Sequence, residues 1–357
     1  MKSRAVDLPG LLEECRVNAF LVTKIQNVRY LSGFSGSTAL LLITGSSRYL
    51  VTDSRYATQA AREVKGFRVQ VLKQGERIMD PVERLVRKGR IKKLGFEPAD
   101  LNVANYLDLK KRLSPCRLVP MKKGIEFFRM VKTSDELEKM TQAVGHAEKA
   151  FLAAKKRMAV GVSERDVALG MEHGMRKNGA LHIAFDTIVG SGERGAMPHG
   201  IASDKRLKRG ELIVVDFGAE SEGYFSDMTR TLYLGRRLTG TKRKIHDIVR
   251  EAQAAAIDAV RPGVTFADID DKARGLIKKE GFGEYFGHGT GHGIGLEVHE
   301  APYVSVGNLQ VLEEGMVFTV EPGIYLPGLG GVRIEDMVLV TGDGCRSLTS
   351  LPKGWEI

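Results

Sequence analysis

Short apolar segments alternate with polar and glycine-containing turns over residues 1–120. Apolar runs of this length between turn residues predict strands, whereas apolar positions spaced by three or four residues predict helices. The turn Gly45-Ser46-Ser47 joins two of the apolar runs as a hairpin. The pattern therefore predicts a small α/β domain. Its expected strands are 19–22, 38–44, 48–52, 67–72 and 93–97, and its expected helices are 54–64 and 80–89.

A longer helical pattern begins at Thr133, where a second region starts. Leu137, Met140 and Val144 recur with helical spacing. Acidic residues occupy the first turn, where the helix dipole stabilises negative charge. We therefore predict two domains, residues 1–125 and 126–357, separated after the segment Met-Lys-Lys-Gly-Ile.

The second region contains a weak internal repeat with an offset of 102 positions. The segment 161–163, Gly-Val-Ser, recurs as 263–265, Gly-Val-Thr. An acid lies three residues beyond each hydroxyl, at Asp166 and Asp268, which is typical of a capping box. Both helical patterns then end at a glycine, as a left-handed C-terminal residue favours. The repeat predicts two similar α+β halves that share a cleft.

Two acids lie in the apolar strands that follow the first copy of the repeat. Asp216 ends the strand Leu-Ile-Val-Val-Asp, and Asp227 lies within the returning strand, residues 223–233. With a turn at Ser221-Glu222, the two acids would face each other directly, with Cβ atoms about 4.5–5.5 Å apart. Like charges in that position are destabilising unless a cation neutralises them.

The second copy is followed by the same construction. Glu321 ends an apolar strand, and Glu335 lies on the returning strand beyond a glycine-rich turn centred on Gly328. The pattern again places two acids opposite each other. Arg333 lies two residues before Glu335, so both side chains are expected on one face of the strand.

Four of the eight histidines lie in two glycine-flanked loops beside these acidic strands. His199 belongs to the segment Ala-Met-Pro-His-Gly, and His288, His292 and His299 belong to 286–300. A single histidine is more often structural, but this clustering indicates a site. Glycine-dense backbone also lets side chains and a substrate approach closely.

The candidate metal site combines four carboxylates with one imidazole, the donors that a pair of hard-to-borderline divalent metals requires. Four acids buried together without a cation would repel one another and would have to protonate. The set therefore predicts a two-metal hydrolytic site. Its members are Asp216, Asp227, His292, Glu321 and Glu335.

Charge and cysteine usage narrow the setting of this site. The net charge of +10 comes from the first region, because residues 1–125 carry +13 and residues 126–357 carry −3. These cations are scattered without an aromatic-basic motif, so we interpret them as a solvated surface and expect no nucleic-acid partner. Three cysteines without metal-type spacing favour a reducing compartment. We see no signal peptide and no apolar span, so we expect a soluble cytoplasmic protein without a membrane partner.

With these residues in place, the chain resembles the pita-bread metallopeptidases over nearly its whole length. The resemblance is to Xaa-Pro dipeptidases (prolidases) and aminopeptidase P, and more distantly to methionine aminopeptidase. The implied fold is an α+β pita-bread domain of two pseudo-symmetric halves, preceded by a smaller α/β creatinase-type domain. The matching segments are Pro198-His-Gly-Ile-Ala-Ser-Asp204, Asp216-Phe-Gly, Ser226-Asp-Met-Thr-Arg-Thr231, Gly291 through Glu300, Glu321-Pro-Gly-Ile-Tyr325 and Val332-Arg-Ile-Glu-Asp336, with 27–36 and 52–56 in the first domain.

The resemblance also implies a role for each matching residue. Asp216 would bind one metal and His292 the second, whereas Asp227 and Glu335 would bridge both. Glu321 would bind the second metal and act as the base. The remaining implied residues contact substrate: His199 and His299 would steady the tetrahedral intermediate, and His288 and Arg333 would complete the pocket.

The implied activity is hydrolysis of the bond between an N-terminal residue and proline, in dipeptides or short peptides. A hydroxide held between two divalent ions would attack the carbonyl. Manganese is the metal we expect first, with cobalt, zinc or iron as alternatives. The expected partners are short proline-containing peptides and a second copy of the chain. Methionine aminopeptidase and a non-catalytic binding protein on the same fold remain alternative interpretations.

Overall fold

The structure is a computed structural model that describes residues 6–122 and 124–357. Its chain divides after Arg129 into an N-terminal unit and a C-terminal unit, Met130–Ile357. The predicted domain boundary falls at the start of a short helix, Glu126–Arg129. Residues 1–5, which entered the signal-peptide prediction, and residue 123, in the predicted boundary segment, lie outside the described residues.

The N-terminal unit alternates strands and helices, as the apolar pattern predicts. Its helices are α1 Leu8–Glu14, α2 Ile25–Ser32, α3 Ala57–Glu63, α4 Met79–Lys88, α5 Val103–Arg112 and α6 Glu126–Arg129. Its strands are β1 Ala19–Val22, β2 Ala39–Thr44, β3 Arg48–Thr52, β4 Arg68–Val71, β5 Lys93–Phe96 and β6 Arg117–Pro120. The predicted helix 54–64 begins as a 3-10 turn over Ser54–Tyr56 and continues as α3.

The strands of the N-terminal unit form one sheet in the order β4-β3-β2-β1-β5-β6. β2 and β3 pair antiparallel, which confirms the predicted hairpin. Phe20 and Val22 pack into one core with α1, whereas Ala19 and Leu21 pack into another with α4. Successive residues of a strand point to opposite faces, so burial of both faces explains why β1 is apolar throughout.

The C-terminal unit places helices against short antiparallel sheets. Its helices are α7 Ser134–Lys155, α8 Glu164–Lys177, α9 Gly240–Asp258 and α10 Phe266–Lys279. Its strands are β7 His182–Ile183, β8 Ile188–Ser191, β9 Leu212–Phe217, β10 Ala219–Ser221, β11 Tyr224–Phe225, β12 Met228–Tyr233, β13 Gly291–Gly293, β14 Glu300–Val304, β15 Val317–Val320, β16 Gly323–Leu326, β17 Gly330–Arg333, β18 Asp336–Val340 and β19 Cys345–Ser347. Single 3-10 turns occur at Gly192–Ala196 and Gly283–Tyr285.

The internal repeat corresponds to equivalent helices in the two halves of this unit. α7 packs against α8, and α9 packs against α10. Ser163 and Thr265 each form a capping box with the acid three residues beyond, at the start of α8 and α10. Gly179 and Gly281 follow the two helices with positive φ angles of 114° and 87°. The mixed α+β class is therefore confirmed.

The sheets of the C-terminal unit carry the candidate site. The order β12-β9-β8 forms one sheet, and β14-β13-β15-β18-β19 forms another. β10 pairs with β11 and β7, and β16 pairs with β17. Across the described part of the chain, no helix has the length and apolarity that a bilayer crossing would require.

Candidate metal centre

The first acidic hairpin has a different register from the one predicted. Asp216 lies opposite Thr229, and β10 and β11 continue the same register up to the turn Glu222-Gly223. The prediction that Asp216 pairs directly with Asp227 is therefore wrong. Both turn residues have positive φ angles, 47° and 80°, which matches the twist of a two-residue hairpin. The turn lies one residue later than expected, so Asp227 becomes a diagonal neighbour of Asp216 on the same face.

The second acidic hairpin has the predicted register. Val320 lies opposite Asp336 in one ladder, and Gly323 lies opposite Arg333 in the next. Glu321 and Glu335 lie between these ladders, and the shared register on both sides places them opposite each other. The described backbone has a positive φ of 78° at Gly328, the predicted centre of the turn.

The imidazole of His292 reaches the acids because glycines flank it on β13. A Cβ atom at Gly291 would collide with the carbonyl oxygen of Thr319, and one at Gly293 would collide with Ala301. The His292 amide donates to Thr319 Oγ1 over 3.1 Å. These close approaches bring β13 against the Glu321 strand.

The side chains of the two hairpins and β13 converge. His292 Nε2 lies 3.3 Å from Glu321 Oε1 and 3.6 Å from Asp227 Oδ2. Asp227, His292 and Glu335 offer ligand atoms that all lie within 4.8 Å of one another. Asp216 Oδ2 accepts a hydrogen bond of 2.5 Å from Arg333 Nη2. The structure thus assembles all five predicted ligands at one place.

Three oxygens of this cluster have no hydrogen-bond donor among the described residues. They are Asp216 Oδ1, Asp227 Oδ1 and Glu335 Oε1, and all three are buried. Buried carboxylate oxygens are nearly always hydrogen-bonded or bound to a cation, because an unpaired one is costly. The donor set therefore fits divalent metal ions.

The electrostatics of the cluster point the same way. Burial raises the pKa of Asp227 well above its usual value, and the charges of Glu335, Asp216 and Glu321 raise it further. Burial also raises the pKa of Glu335 and of Glu321. The pKa of His292 is lowered by burial, which favours the neutral imidazole that binds metals.

Two residues with clear contacts in this cluster had no role in the sequence-based site. Thr229 Oγ1 donates to Glu335 Oε2 over 2.7 Å and accepts from Arg333 Nε over 3.0 Å. The Tyr325 hydroxyl lies 3.0 Å from Arg333 Nη1 and 2.9 Å from His288 Nε2. Burial raises the pKa of Tyr325 to about 12. The available signal was strand periodicity, because these residues lie two and four positions after predicted ligands.

One cleft of about 900 Å³ gathers the remaining predicted residues around the cluster. The His299 ring centre lies 4.1 Å from that of His292. Phe185, Ile188 and Tyr303 add apolar surface to the wall. All nine predicted site residues line this cleft, namely Asp216, Asp227, His292, Glu321, Glu335, His199, His288, His299 and Arg333.

Comparison with known families assigns both parts of the chain. Residues 138–342 match the pattern described as metallopeptidase family M24. Residues 6–131 match the creatinase/prolidase N-terminal domain. The predicted family resemblance and fold class are confirmed by these matches.

Individual relatives match over nearly their full length. The Xaa-Pro dipeptidase of Pyrococcus horikoshii is 40% identical, over 98% of this chain and 97% of its own. The solved structure of the Xaa-Pro dipeptidase from Bacillus anthracis superposes with a TM-score of 0.94 at 39% identity, covering 98% of each chain. The X-Pro aminopeptidase from Thermotoga maritima has a TM-score of 0.89 at 40% identity, covering 98% of this chain and 100% of its own.

Proposed function

The chain belongs to metallopeptidase family M24, and we propose that it is a dinuclear-metal exopeptidase that cleaves the bond between an N-terminal residue and proline. The names of the similar proteins, Xaa-Pro dipeptidase and X-Pro aminopeptidase, supply the substrate class. The N-terminal match favours this class over methionine aminopeptidase, which does not ordinarily carry such a domain. The observation that carries the metal part is the set of three buried, unpartnered carboxylate oxygens around His292.

In this proposal the ligands divide between two divalent ions. Asp216 would hold one ion, His292 and Glu321 would hold the other, and Asp227 and Glu335 would contribute ligand oxygens to both. When bound, the ions supply a nucleophile from water near neutral pH and polarise the substrate carbonyl. The unpartnered oxygens of Asp216, Asp227 and Glu335 support bound cations at this place, because each oxygen still needs a partner.

Glu321 moves the proton in the proposed reaction. Its carboxylate takes a proton from the attacking water and passes it to the proline nitrogen as the carbon–nitrogen bond breaks. That nitrogen carries no hydrogen in the peptide, so it must gain one to leave as an amine.

The cleft histidines stabilise charge on the substrate in this proposal. His199 and His299 donate hydrogen bonds to the carbonyl oxygen as it becomes negative. Burial lowers the pKa of His299, so its neutral ring offers one N–H donor. His288 and Arg333 shape the pocket through their shared contact with the Tyr325 hydroxyl.

Manganese is the metal that we propose first. Oxygen-rich ligation with one imidazole suits manganese, and it also suits cobalt, iron or zinc. Homodimerisation and a cytoplasmic location stay predictions from the sequence. Metal analysis of the purified protein tests the choice of manganese, and sedimentation tests homodimerisation.

Substrate comparison tests the proposed activity. Protein loaded with manganese or cobalt is assayed with Ala-Pro, Ala-Pro-Ala and Met-Ala-Ser. We expect hydrolysis before proline in at least one of the first two peptides, and loss of that activity after chelation. If the metal-loaded protein turns over neither proline peptide, the proposal is rejected. Release of methionine from Met-Ala-Ser alone would instead identify a methionine aminopeptidase.

A further inference from the structure

Two fully buried carboxylates behind the cleft each hold a loop that carries a cleft histidine. Glu164 lies at the first position of α8, and Asp270 lies on α10. Both are 0% exposed, and neither is among the residues that line the cleft. We infer that Glu164 and Asp270 are positioning residues that orient His199 and His288, respectively, for the proposed reaction.

Glu164 ties together both ends of the His199 loop, residues 191–203. Its Oε1 accepts from the amide and the hydroxyl of Ser191, each over 2.8 Å. Its Oε2 accepts from the amide and the hydroxyl of Ser203, over 3.2 and 2.6 Å. One carboxylate therefore joins the two ends of the loop that carries His199.

Arg194 reinforces this closure from within the loop. Its Nε donates to Glu164 Oε2 over 2.9 Å, and its Nη2 donates to the carbonyl of Ile201 over 2.5 Å. Ile201 lies two residues beyond His199, so the guanidinium holds the backbone on that side. Bonds to charged groups are roughly twice as strong as neutral ones, which suits a device that must keep a loop in place.

Asp270 holds the His288 loop in the same manner. Its Oδ1 accepts from the hydroxyl of Thr290 over 2.7 Å and from the Thr290 amide over 3.2 Å. Arg274 forms a two-pronged pair with Asp270 and donates to the carbonyl of His288 over 2.7 Å. The guanidinium also lies 4.3 Å from the ring centre of Phe286. The segment 286–290 is thus held at both ends.

Both loops connect onward to the proposed catalytic groups. The carbonyl of Pro198 accepts from Arg333 Nη1 over 3.1 Å, and Arg333 in turn contacts Asp216. The carbonyl of Thr290 accepts from the amide of Glu321 over 2.8 Å. A shift of either loop would therefore displace a histidine and disturb the neighbouring backbone. Displacements near 1 Å can cost about 100-fold in rate.

The Glu164–Arg194 pair and the Asp270–Arg274 pair, called loop clamps below, have the same construction on equivalent helices of the repeat. Each consists of a buried acid on the repeat helix, an arginine paired with it, and a loop carbonyl bound by that arginine. The two acids occupy different positions of their helices, because Glu164 is the first residue of α8 whereas Asp270 is the fifth of α10. The acid therefore lies at a different helix position in each half, but each half uses the same acid–arginine pair to hold a loop.

Double-mutant cycles test the inference, and this arm rests on the proposed function. We expect Glu164→Gln to lower kcat/KM by about 10- to 100-fold with the bound metal unchanged. In a His199→Ala background the same change should have a clearly smaller effect, because neighbours that act as a unit are not additive. In a His288→Ala background it should keep its full effect. Asp270→Asn should have a smaller effect in the His288→Ala background and keep its full effect in the His199→Ala background.

Full additivity of Glu164→Gln with His199→Ala would overturn the assignment for that loop. Full additivity of Asp270→Asn with His288→Ala would overturn the assignment of Asp270 to the His288 loop. Ser203→Ala and Thr290→Val remove one donor each and replace the acid variants if those do not fold.

Glu97→Gln is the matched control, since Glu97 is a buried acid that accepts from the amides of Thr23 and Lys24 in the N-terminal unit. It should leave kcat/KM unchanged.

Hydrogen exchange provides a second arm that needs no substrate. Glu164→Gln should speed amide exchange within 191–203 and leave 286–290 at the wild-type rate, and Asp270→Asn should do the opposite. An increase spread over the whole C-terminal unit would show only a general loss of stability and would contradict a positioning role. If no proline peptide is hydrolysed but exchange changes as stated, the activity is misassigned and the loop clamps stand.

Discussion

A buried carboxylate oxygen without a donor is costly, and three such oxygens belong to acids that line the same cleft as His292. The cost identifies which atoms need a cation. Asp216 differs from its neighbours because one of its oxygens already contacts Arg333. Asp227 and Glu335 have no such arginine partner in the described hydrogen bonds, so their repulsion is the strongest argument at this scale for bound metal.

Replacing Asp227 by asparagine tests its role as a bridge. The amide has one oxygen and no charge, so it cannot join two cations. We expect activity to fall by more than about 100-fold and bound metal to decrease. Metal analysis and hydrolysis of Ala-Pro-Ala measure both effects. Asp343→Asn makes the same change at an exposed turn and should behave as the wild type; an Asp227→Asn enzyme with normal turnover would contradict the assignment.

Helix caps and glycine-flanked strands determine where the site elements begin and end. Thr265 starts α10 by accepting from the Asp268 amide over 3.2 Å, while Asp268 accepts from the Thr265 hydroxyl over 2.6 Å. Ser163 and Asp166 form the equivalent box on α8. These caps define the start of the helices that carry Glu164 and Asp270.

Removing the Thr265 cap should lower stability without touching the cleft. We expect Thr265→Ala to lower the free energy of unfolding by about 1 kcal/mol, because an amide of the first helical turn loses its acceptor. Thr265→Ser keeps the hydroxyl and should lose much less. Urea unfolding followed by fluorescence of Trp355, the single tryptophan and a residue of the C-terminal unit, measures the change. Equal midpoints for the alanine variant and the wild type would argue against the cap.

At the scale of the whole unit, buried polar groups make stability depend on conditions. Arg230 is 1% exposed and donates to the carbonyls of Thr229 and Glu335, and also to those of Leu351 and Pro352. This one side chain joins two site strands to the end of the chain.

His246 on α9 is also fully buried, and neither ring nitrogen has a hydrogen-bond partner in the described parts of the chain.

His246 should make the C-terminal unit sensitive to acid. Burial lowers its pKa from 6.5 to about 4, and the nearby charges of Asp247, Arg250, Arg243 and Glu356 partly offset one another. Below pH 6.5 the unfolded chain binds a proton that the folded chain refuses, so stability falls as pH decreases towards 4. The loss at pH 5 is about 2 kcal/mol.

A His246→Leu variant isolates this contribution. The free energies of unfolding of the variant and the wild type are measured by Trp355 fluorescence at pH 7 and at pH 5. A metal chelator is present at both pH values. We expect the difference, variant minus wild type, to increase by about 2 kcal/mol at the lower pH. The same difference at both pH values would show that His246 does not titrate as its burial indicates.

Local patterns along the chain were sufficient for many of the elements and for the choice of candidate ligands, but they did not predict α1, α2, α5 or β6. The β2–β3 hairpin, the caps of α8 and α10 and the register of the Glu321–Glu335 hairpin depend on neighbouring residues, so they follow from periodicity and turn chemistry. Acids on apolar strands and glycine-flanked histidines stood out because burying unpaired charge is costly.

Only the tertiary structure decided how distant residues meet. A turn at Glu222-Gly223 with two positive φ angles shifted Asp227 away from direct pairing, and strand pattern alone does not distinguish such a shift of two positions. The contacts of Thr229, Glu164 and Asp270 join residues far apart in sequence. Strand periodicity indicates only the face on which Thr229 lies. The partners of all three residues depend on how helices and sheets pack, which local periodicity does not encode.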